Sequence, residues 1–599
     1  MANHEENDKL LSYLKVHGAY EPKTVPGQNA FTFLAQRGGV PQLFKWTSND
    51  GKIKALKDFH DRVLSVHPSP SGEKTIVGVD NHGDERQQLY LINQDHVIEE
   101  LVISKNHFHR FGGWSSDEKR IVFSSNRRHP GYFDLYVADV ATKTVTKLLE
   151  INDNCTPICW IKNDSQILIS MPRTNIDNDL FVYDLAAEKL IRLTEVSDRT
   201  ARFQSVQATA DGKKMYVLSD AGQNTLGIFQ KDLKEDTPFQ KLMTDDSWDI
   251  EEIKLSPDEK SIAYTVNKGG ISTLGCFHLE NQQINEIADM PKGVYRSLDW
   301  LNADELIVAV KGATIPGDIW KVDVPQAKSE RLTFVGENKT LEKYWIEPKL
   351  CTYQSFDGLT VPYFLYQQGE AKAAVVYVHG GPESQIRSEY NPVIQYLAAN
   401  GYAVVTPNVR GSMGYGRKYV QLDDVRNRMD SVADLKWLAK DLIDKHHIHP
   451  DKIGIMGRSY GGFMVLAALT HYPGVWSAGV DIVGISHFRT FLENTGAWRR
   501  KLREFEYGSL EEDIDFFEEI APLNHTDKIT APLLVFHGRN DTRVPVTEAE
   551  QLTSLLTKKG KEVELFMFED EGHQTERLEN HIFMNTEIVK FMNKHLKGE

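Results

Sequence analysis

Cysteine and long apolar runs are both scarce in this sequence. Its 599 residues include four cysteines, too few for a disulfide framework in a chain of this length. Cys155 and Cys159 are closely spaced, but no matching pair of Cys or His residues follows them, which favours free thiols over a metal site. The longest apolar runs, such as Ala373–Val378, have the length of a core strand, whereas a membrane helix needs roughly 20 residues. The amino terminus lacks the basic start and apolar core of a signal peptide, so we expect a cytoplasmic protein.

An excess of positive charge is also absent. The formal charge is −16, from 69 basic and 85 acidic side chains. A surface of this sign repels nucleic acid and anionic membranes, so neither is expected as a partner. The composition is otherwise that of a globular protein, with 40 % hydrophobic and 26 % charged residues. A chain of this length should form two or more domains.

The first half of the chain contains a repeat. The second residue of a recurring turn lies at Gly27, Gly72, Asp117, Asp164, Gly212, Glu259 and Asp304, in steps of 45, 45, 47, 48, 47 and 45 residues. Strand-like runs follow the turns, and a second strand that comes later in each unit is centred on Phe44, Tyr90, Tyr136, Phe181, Phe229, Phe277 and Trp320. These runs are rich in β-branched residues, and a period near 45 is typical of a propeller blade. We predict a helical extension over residues 1–19 and a seven-bladed β-propeller over residues 20–335, with another stacked all-β array as the alternative.

Strands alternate with helices over residues 336–599. The candidate buried strands are Ala374–Val378, Ala403–Pro407, Lys452–Met456, Ala478–Val483, Leu533–His537 and Val563–Phe568. This alternation predicts a doubly wound, mostly parallel sheet with helices on both faces. Ligands bind such sheets at the carboxyl ends of the strands, so this half should carry the chemistry.

A Gly-x-Ser-x-Gly motif lies between one of these strands and a predicted helix. Gly457–Gly461 places Ser459 at its centre, directly after the strand that ends at Met456. This order is the nucleophile elbow of α/β-hydrolases, in which a tight turn lifts the serine oxygen clear of the backbone. We therefore predict an α/β-hydrolase domain with Ser459 as its nucleophile.

A serine nucleophile needs a base and an acid, which α/β-hydrolases place later in the chain in the order acid, then histidine. Asp541 follows the strand Leu533–His537, and His573 follows the strand Val563–Phe568. Asp570 is the rival acid, but its position only three residues before His573 favours a solvated loop charge. The sequence predicts that Ser459 attacks, that His573 transfers the proton and that Asp541 orients the imidazole.

The tetrahedral intermediate needs two N–H donors. One should be the backbone of Tyr460, the residue after the nucleophile. The other should come from the loop His379–Pro382, where two glycines allow a close approach of the backbone to the substrate. Gly381 is the predicted donor and Gly380 is its alternative.

Taken together, these segments resemble the prolyl oligopeptidase family, and within it the acylaminoacyl peptidases. The matching segments are His379–Pro382, Asn408–Gly416, Gly457–Phe463, Asn540–Pro545 and Glu571–His573. The resemblance implies short peptide substrates, because the propeller of such enzymes screens out folded proteins. It also implies release of an N-acylated amino acid from the amino terminus of the substrate, with some endopeptidase or esterase activity. No cofactor and no metal are expected.

The resemblance further implies a set of substrate-binding residues. Arg543 would bind a substrate carbonyl and pair with a propeller glutamate, which would be Glu85 in the segment Gly83–Tyr90. An exposed blade charge is the alternative for Glu85. The apolar pocket would be formed by Ile485, Phe488, Trp498 and Val544, with plain core packing as the alternative for each.

Other activities stay open at this point. The enzymatic alternatives are a dipeptidyl aminopeptidase, a prolyl endopeptidase and a carboxylesterase of the same family. Dipeptidyl peptidases hold a free amino terminus with paired propeller glutamates, whereas Glu99–Glu100 and Glu251–Glu252 are interpreted here as surface charge. The non-enzymatic alternative is a propeller scaffold with an inactive hydrolase domain, against which the complete triad argues. A homo-oligomer is possible, since exposed sheet edges permit assembly.

Overall fold

The first half of the chain forms consecutive four-stranded sheets. The computed structural model describes residues 2–49, 51–195, 200–234 and 237–599, with side chains from Asp8 onward. In this described part, strands β1–β28 form seven antiparallel sheets, each made of four strands that follow one another in the chain. The predicted seven-bladed β-propeller is confirmed.

The strands of the seven blades are, in chain order, β1 Tyr20–Thr24, β2 Ala30–Arg37, β3 Val40–Thr47, β4 Ile53–Ala55; β5 Val63–Pro68, β6 Thr75–Val79, β7 Gln88–Ile92, β8 Ile98–Val102; β9 His109–Trp114, β10 Arg120–His129, β11 Tyr132–Asp139, β12 Val145–Leu149; β13 Thr156–Ile161, β14 Gln166–Pro172, β15 Asn178–Asp184, β16 Lys189–Arg192; β17 Phe203–Ala208, β18 Lys214–Ser219, β19 Gly227–Asp232, β20 Gln240–Met243; β21 Ile250–Leu255, β22 Ser261–Lys268, β23 Ile271–His278, β24 Ile284–Ile287; β25 Val294–Trp300, β26 Glu305–Gly312, β27 Ile315–Asp323 and β28 Lys328–Arg331. The recurring turn precedes the second strand of each blade, and the recurring aromatic residue lies in the third.

The propeller ring closes without exchanging strands between its first and last blades. First strands of neighbouring blades contact one another in most of the ring, for example β9 with β13 and β17 with β21, and β1 contacts β25 of blade 7 in the same way. The amide and the hydroxyl of Thr24 donate hydrogen bonds to the Asp299 carboxylate, at 2.9 and 2.8 Å. Side-chain packing and hydrogen bonds therefore hold blade 1 against blade 7.

The second half forms one eight-stranded sheet in the order β29-β30-β32-β31-β33-β34-β35-β36. Its strands are β29 Lys349–Gln354, β30 Thr360–Tyr366, β31 Ala373–Val378, β32 Tyr402–Pro407, β33 Ile453–Arg458, β34 Ala478–Ile482, β35 Leu533–Gly538 and β36 Val563–Phe568. Pairing is parallel from β32 through to β36, whereas β29 and β30 add an antiparallel edge. All six predicted buried strands are present, and the predicted doubly wound sheet is confirmed.

Helices cover both faces of this sheet. The α-helices of the described chain are α1 Ala2–Leu14, α2 Pro392–Ala399, α3 Arg417–Val420, α4 Arg428–His446, α5 Tyr460–His471, α6 Phe488–Asn494, α7 Ala497–Tyr507, α8 Ile514–Ile520, α9 Thr547–Lys558 and α10 Leu578–Met592. No helix among the described residues has both the length and the apolar character that a membrane crossing requires.

The amino-terminal helix α1 packs on the hydrolase half and not on the propeller that follows it in sequence. Leu10, Tyr13 and Leu14 are buried in the core that α2 and α10 share with the large sheet. The ring of Tyr13 meets that of Tyr396 edge-on, with centroids 5.6 Å apart. A short helix gains most of its stability from such packing, so α1 depends on the hydrolase domain.

Charged pairs join the propeller to the hydrolase half around the carboxyl edge of the sheet. Arg417 donates to Asp177 at 2.8 Å and to Asp220 at 3.0 Å, and Arg577 donates to Asp61 at 2.9 Å. The propeller therefore covers the edge of the sheet where a site is expected.

Candidate active site

The predicted nucleophile lies on a sharp turn between β33 and α5. Ser459 has φ 60° and ψ −121°, a backbone conformation that L residues rarely adopt. A Cβ atom on Gly457 would lie 2.3 Å from the Gly461 carbonyl oxygen, and one on Gly461 would lie 2.3 Å from that of Val378. The two glycines are therefore required for the turn to close, and Ser459 is held in its strained position by its neighbours.

The predicted acid and base are hydrogen-bonded to each other. Asp541 follows β35 and His573 follows β36, and His573 Nδ1 lies 2.7 Å from Asp541 Oδ2. The other carboxylate oxygen of Asp541 accepts from the amides of Arg543 and Val544, at 2.8 and 3.0 Å. These bonds fix the carboxylate, which in turn orients the imidazole.

The rival acid points elsewhere. Asp570 accepts a hydrogen bond from Asn580 at 2.9 Å and forms an ion pair with Arg577 at 3.2 Å. No hydrogen bond between Asp570 and His573 is present among the described residues. Asp541 is thus the carboxylate that contacts His573 in this structure.

Burial and pairing set the protonation states of these two groups. Burial raises the pKa of Asp541, but the charge and the hydrogen bond of His573 outweigh it, so the pKa lies below its ordinary value. Burial of the His573 ring lowers its pKa, and the Asp541 charge opposes that change only in part. At neutral pH the site therefore holds an ionised Asp541 and a neutral His573, which is the state that general-base catalysis needs.

Ser459 and His573 line one cavity at the domain interface. The cavity has a volume of about 460 Å³, which suits a short peptide segment. Among the described residues, the Ser459 hydroxyl makes no hydrogen bond with His573. Such bonds are often long in enzymes without substrate and tighten when substrate binds.

The loop after β31 lies against the nucleophile. A Cβ atom on Gly380 would lie 2.8 Å from the Arg458 carbonyl oxygen and 3.2 Å from Ser459 Cβ, so glycine is favoured at this close approach. The Gly381 carbonyl accepts hydrogen bonds from Arg503 at 3.2 Å and Tyr507 at 3.3 Å, which fix the loop. Within the described chain, the amides of Gly380 and Gly381 have no protein acceptor. Both are available to an oxyanion, and the assignment to Gly381 together with Tyr460 stays a prediction.

The predicted pair across the interface is formed. Arg543 Nε lies 2.7 Å from Glu85 Oε2, and its Nη2 lies 2.7 Å from Oε1. Two parallel bonds of this kind fix the plane of the guanidinium. Arg543 also lines the cavity beside Ser459. Glu85 is therefore an interface residue and not an exposed blade charge.

Two of the four predicted pocket residues line this cavity, and two do not. Ile485 and Val544 are buried in its wall. Phe488 is fully buried between other rings and belongs to the core. Its ring centroid lies 4.6 Å from that of Phe463 and 4.7 Å from that of Tyr507. Trp498 packs instead against the rings of Phe108 and Phe133 in the propeller, with ring centroids 5.5 and 6.1 Å apart. The predictions for Phe488 and Trp498 are wrong because these side chains point away from the cavity into core and interface packing.

Other cavity residues were not predicted from the sequence. Arg499, Arg503 and Tyr507 are spaced by four on α7, so they share one helix face, and all three line the cavity. The spacing Arg-x-x-x-Arg-x-x-x-Tyr is visible in the sequence, but it indicates a shared face only if the segment is a helix. Phe491 of α6 adds a further apolar wall.

The interpretation of Glu251 and Glu252 as surface charge is also wrong. Glu251 accepts from Arg387 at 2.5 Å and from Asn267 at 2.8 Å at the domain interface. Glu252 accepts from the amides of Ser297 and Leu298, and burial raises its pKa to about 7. Both carboxylates are occupied within the protein.

One acidic group of the described residues has potential metal-binding geometry. Asp423, Asp424 and Glu506 bring three ligand atoms together. Arg428 is fully buried beside them and lies 2.6 Å from Glu506 and 3.5 Å from Asp423. A divalent cation there would meet this guanidinium, so we interpret the cluster as core structure.

Residues 388–599 match the model of the prolyl oligopeptidase family. Over these residues the chain is similar to that family. The prolyl oligopeptidase match includes Ser459, Asp541 and His573, and it begins after the glycine loop.

Relatives in the family differ in their named activities. The chain is 31 % identical to dipeptidyl aminopeptidase BIII of Pseudoxanthomonas mexicana over 44 % of this chain and 37 % of that one. It is 26 % identical to an acylamino-acid-releasing enzyme of Arabidopsis thaliana over 39 % of this chain and 31 % of that one. The chain therefore matches well under half the length of these two curated relatives.

A solved structure from a study of two prolyl endopeptidases shares the fold of the whole chain. Its TM-score is 0.87 at 18 % identity, and the match covers 99 % of this chain and 92 % of that one. This likeness shows that both halves of the chain share the two-domain fold of that structure.

Proposed function

We propose that this protein is a serine peptidase that hydrolyses short peptides through an acyl-enzyme on Ser459. The observation that carries the proposal is the bond of 2.7 Å between His573 and Asp541, placed in the same cavity as the elbow serine. A proton path from hydroxyl to imidazole needs this arrangement, whereas a binding scaffold does not.

The chemistry follows from the positions of the groups. His573 takes the proton of the Ser459 hydroxyl as the oxygen attacks the substrate carbonyl, and ionised Asp541 stabilises the imidazolium. The amides of Tyr460 and Gly381 would donate to the oxyanion. His573 then protonates the leaving amine, and water releases the acyl group by the same steps in reverse order.

We further propose that substrates with a blocked amino terminus are preferred. The charged residues lining the cavity are Arg296, Lys311, Arg387, Arg458, Arg499, Arg503, Arg543 and Glu389. Glu389 is the single carboxylate among these described lining residues, and it already pairs with Arg296 at 2.5 Å. A free ammonium group would enter a cationic cavity without a partner, whereas an acylated terminus carries no charge.

A dipeptidyl aminopeptidase is the second candidate, because the relative with 31 % identity carries that name. Such an activity requires carboxylates that are free to bind an ammonium group. Glu85 is engaged by Arg543, and Glu251 is engaged by Arg387. The occupied glutamates favour the acylated substrate.

A pair of chromogenic substrates tests this preference. We expect kcat/KM on acetyl-alanine p-nitroanilide to exceed that on alanyl-alanine p-nitroanilide by at least about tenfold, since the second carries an ammonium group into a cationic cavity. Acetyl-alanyl-alanine p-nitroanilide is the matched control, because it restores length without the charge. Faster cleavage of the free dipeptide would favour the dipeptidyl activity instead.

A second prediction concerns Arg543. We expect Arg543→Ala to lower kcat/KM on acetylated peptides by about 10- to 100-fold, because a charged donor to a substrate carbonyl is lost. On p-nitrophenyl acetate, which has no second carbonyl to bind, the loss should be smaller. Arg539→Ala is the matched control, since its ion pairs in the described part of the chain are with the exposed Glu550 and Glu569. Equal losses on peptide and ester would remove Arg543 from substrate binding.

A further inference from the structure

Helix α7 turns one face toward the cavity. Arg499, Arg503 and Tyr507 lie on this face and line the same space as Ser459 and His573. The side chains of Arg503 and Tyr507 already have partners. Both donate hydrogen bonds to the Gly381 carbonyl, and Arg503 also forms an ion pair with Glu383 at 3.5 Å. The helix is thus anchored against the loop that lies on the nucleophile.

Arg499 differs from its two neighbours on this face, because its side chain makes no hydrogen bond and no ion pair with any described residue. Its side chain is 9 % exposed, and Nη1 is buried without a hydrogen-bond partner among the described residues. Its guanidinium lies 5.5 Å from the ring centroid of Trp498. A buried cation normally pairs with an anion, because an unpaired charge is costly to remove from water.

The surroundings of Arg499 further destabilise its unpaired charge. Burial, and then the charges of Arg503 and Arg543, lower the pKa of Arg499 to about 9. The group is still charged at neutral pH, and the charges of Arg503 and Arg543 affect its pKa more than the opposing charge of Asp541 does. Its charge also contributes to the lowered pKa of His573, so it lies within electrostatic reach of the proposed base.

We infer that Arg499 binds a carboxylate of the substrate beside the scissile bond and gives the enzyme a preference for an acidic group there. This inference rests on the proposed peptidase function. The carboxylate can come from an acidic side chain on the residue whose carbonyl is attacked, or from the carboxyl terminus of a short substrate. In either case a charge-assisted pair forms in a buried site, where such pairs are strong.

Ligand binding to the Ser459→Ala protein distinguishes a side-chain carboxylate from a terminal carboxylate and does not depend on turnover. N-acetyl-glutamic acid α-amide is compared with N-acetyl-glutamine α-amide, which differs only in the charge of the side chain. N-acetyl-alanine is compared with N-acetyl-alanine amide, which differs only at the terminal carboxylate. We expect the acidic member of one pair to bind about 10- to 100-fold more tightly by calorimetry.

Substitution then assigns this preference to Arg499. In the Ser459→Ala background, Arg499→Gln should abolish the difference within the pair, while Arg499→Lys should restore part of it. Arg500→Gln is the matched control, because Arg500 is the next residue on α7, donates to the Glu493 carbonyl at 2.7 Å and lies outside the cavity lining. It should keep the full preference, and thermal melting of each variant verifies that it is folded.

Kinetics on the protein with Ser459 intact give the second readout. If the side-chain pair shows the preference, hydrolysis of acetyl-glutamyl p-nitroanilide should exceed that of acetyl-glutaminyl p-nitroanilide by a similar factor, and Arg499→Gln should equalise the two through the acidic substrate alone. Equal binding of charged and neutral ligands to the folded Ser459→Ala protein would overturn the inference. If binding depends on Arg499 but no peptide is cleaved, the proposed function fails, and only the carboxylate-binding site at Arg499 is retained.

Discussion

Replacement of Ser459 by alanine is expected to lower kcat by about 10⁴- to 10⁶-fold, the scale observed when triad members are removed from other serine hydrolases. The reason is that no other group on the elbow can attack the substrate carbonyl. The substitution removes one oxygen from a turn whose shape is set by Gly457 and Gly461, so the fold should be unchanged. Steady-state kinetics on an acetylated anilide and a thermal melt measure the two effects.

Covalent labelling gives an independent control for this prediction. A fluorophosphonate probe should label the unaltered protein and fail to label Ser459→Ala. Ser384 lines the same cavity, and a Ser384→Ala protein should still be labelled because Ser384 does not lie on the elbow. A Ser459→Ala protein that kept a tenth of its activity would refute the assignment of the nucleophile.

The architecture was largely predictable because both halves carry strong periodic signals. Seven turns and seven aromatic residues at a spacing near 45 define the blades, and each aromatic lies in a third strand. Six apolar runs correspond to six strands of the large sheet. The position of β32 between β30 and β31 was not predicted, since strand order depends on packing between distant segments.

The site was predictable to different degrees for a related reason. The elbow, Asp541 and His573 follow strand ends in a fixed chain order, so local sequence is enough to find them. The orientations of Phe488 and Trp498 depend on how α6 and α7 pack on the core and on the propeller, which local sequence does not encode. The importance of Arg499 lies in the absence of a partner, and only the three-dimensional structure can show this.

The cationic cavity links these observations to substrate choice. The protein has a net charge of −16, yet the lining of the cavity is dominated by arginine. Fields inside a low-dielectric cleft are set by the local charges and less by the distant surface. The two proposed preferences, for an uncharged amino terminus and for a carboxylate near the scissile bond, therefore rest on one and the same arrangement.

The second large effect is expected at Asp541. Asp541→Asn should lower kcat by about 10⁴-fold, because an amide can donate to His573 Nδ1 and thereby hold the imidazole in the tautomer that cannot accept the serine proton. The bond that would be altered is the one of 2.7 Å between Asp541 Oδ2 and His573 Nδ1. The measurement is kcat on an acetylated anilide with enzyme of verified melting temperature.

The pH dependence of the residual activity of Asp541→Asn tests the direction in which the pKa of His573 shifts. Activity requires neutral His573, so kcat/KM rises as pH increases through its pKa. Burial lowers this pKa and the Asp541 charge raises it, so removing the charge should lower the pKa further and move the acidic limb to lower pH. Asp570→Asn is the matched control, because Asp570 pairs with Arg577 and should change kcat by less than about tenfold without moving the limb. A shift of the limb to higher pH in Asp541→Asn, or an equal loss in the two variants, would show that Asp541 is not the partner that sets the charge of His573.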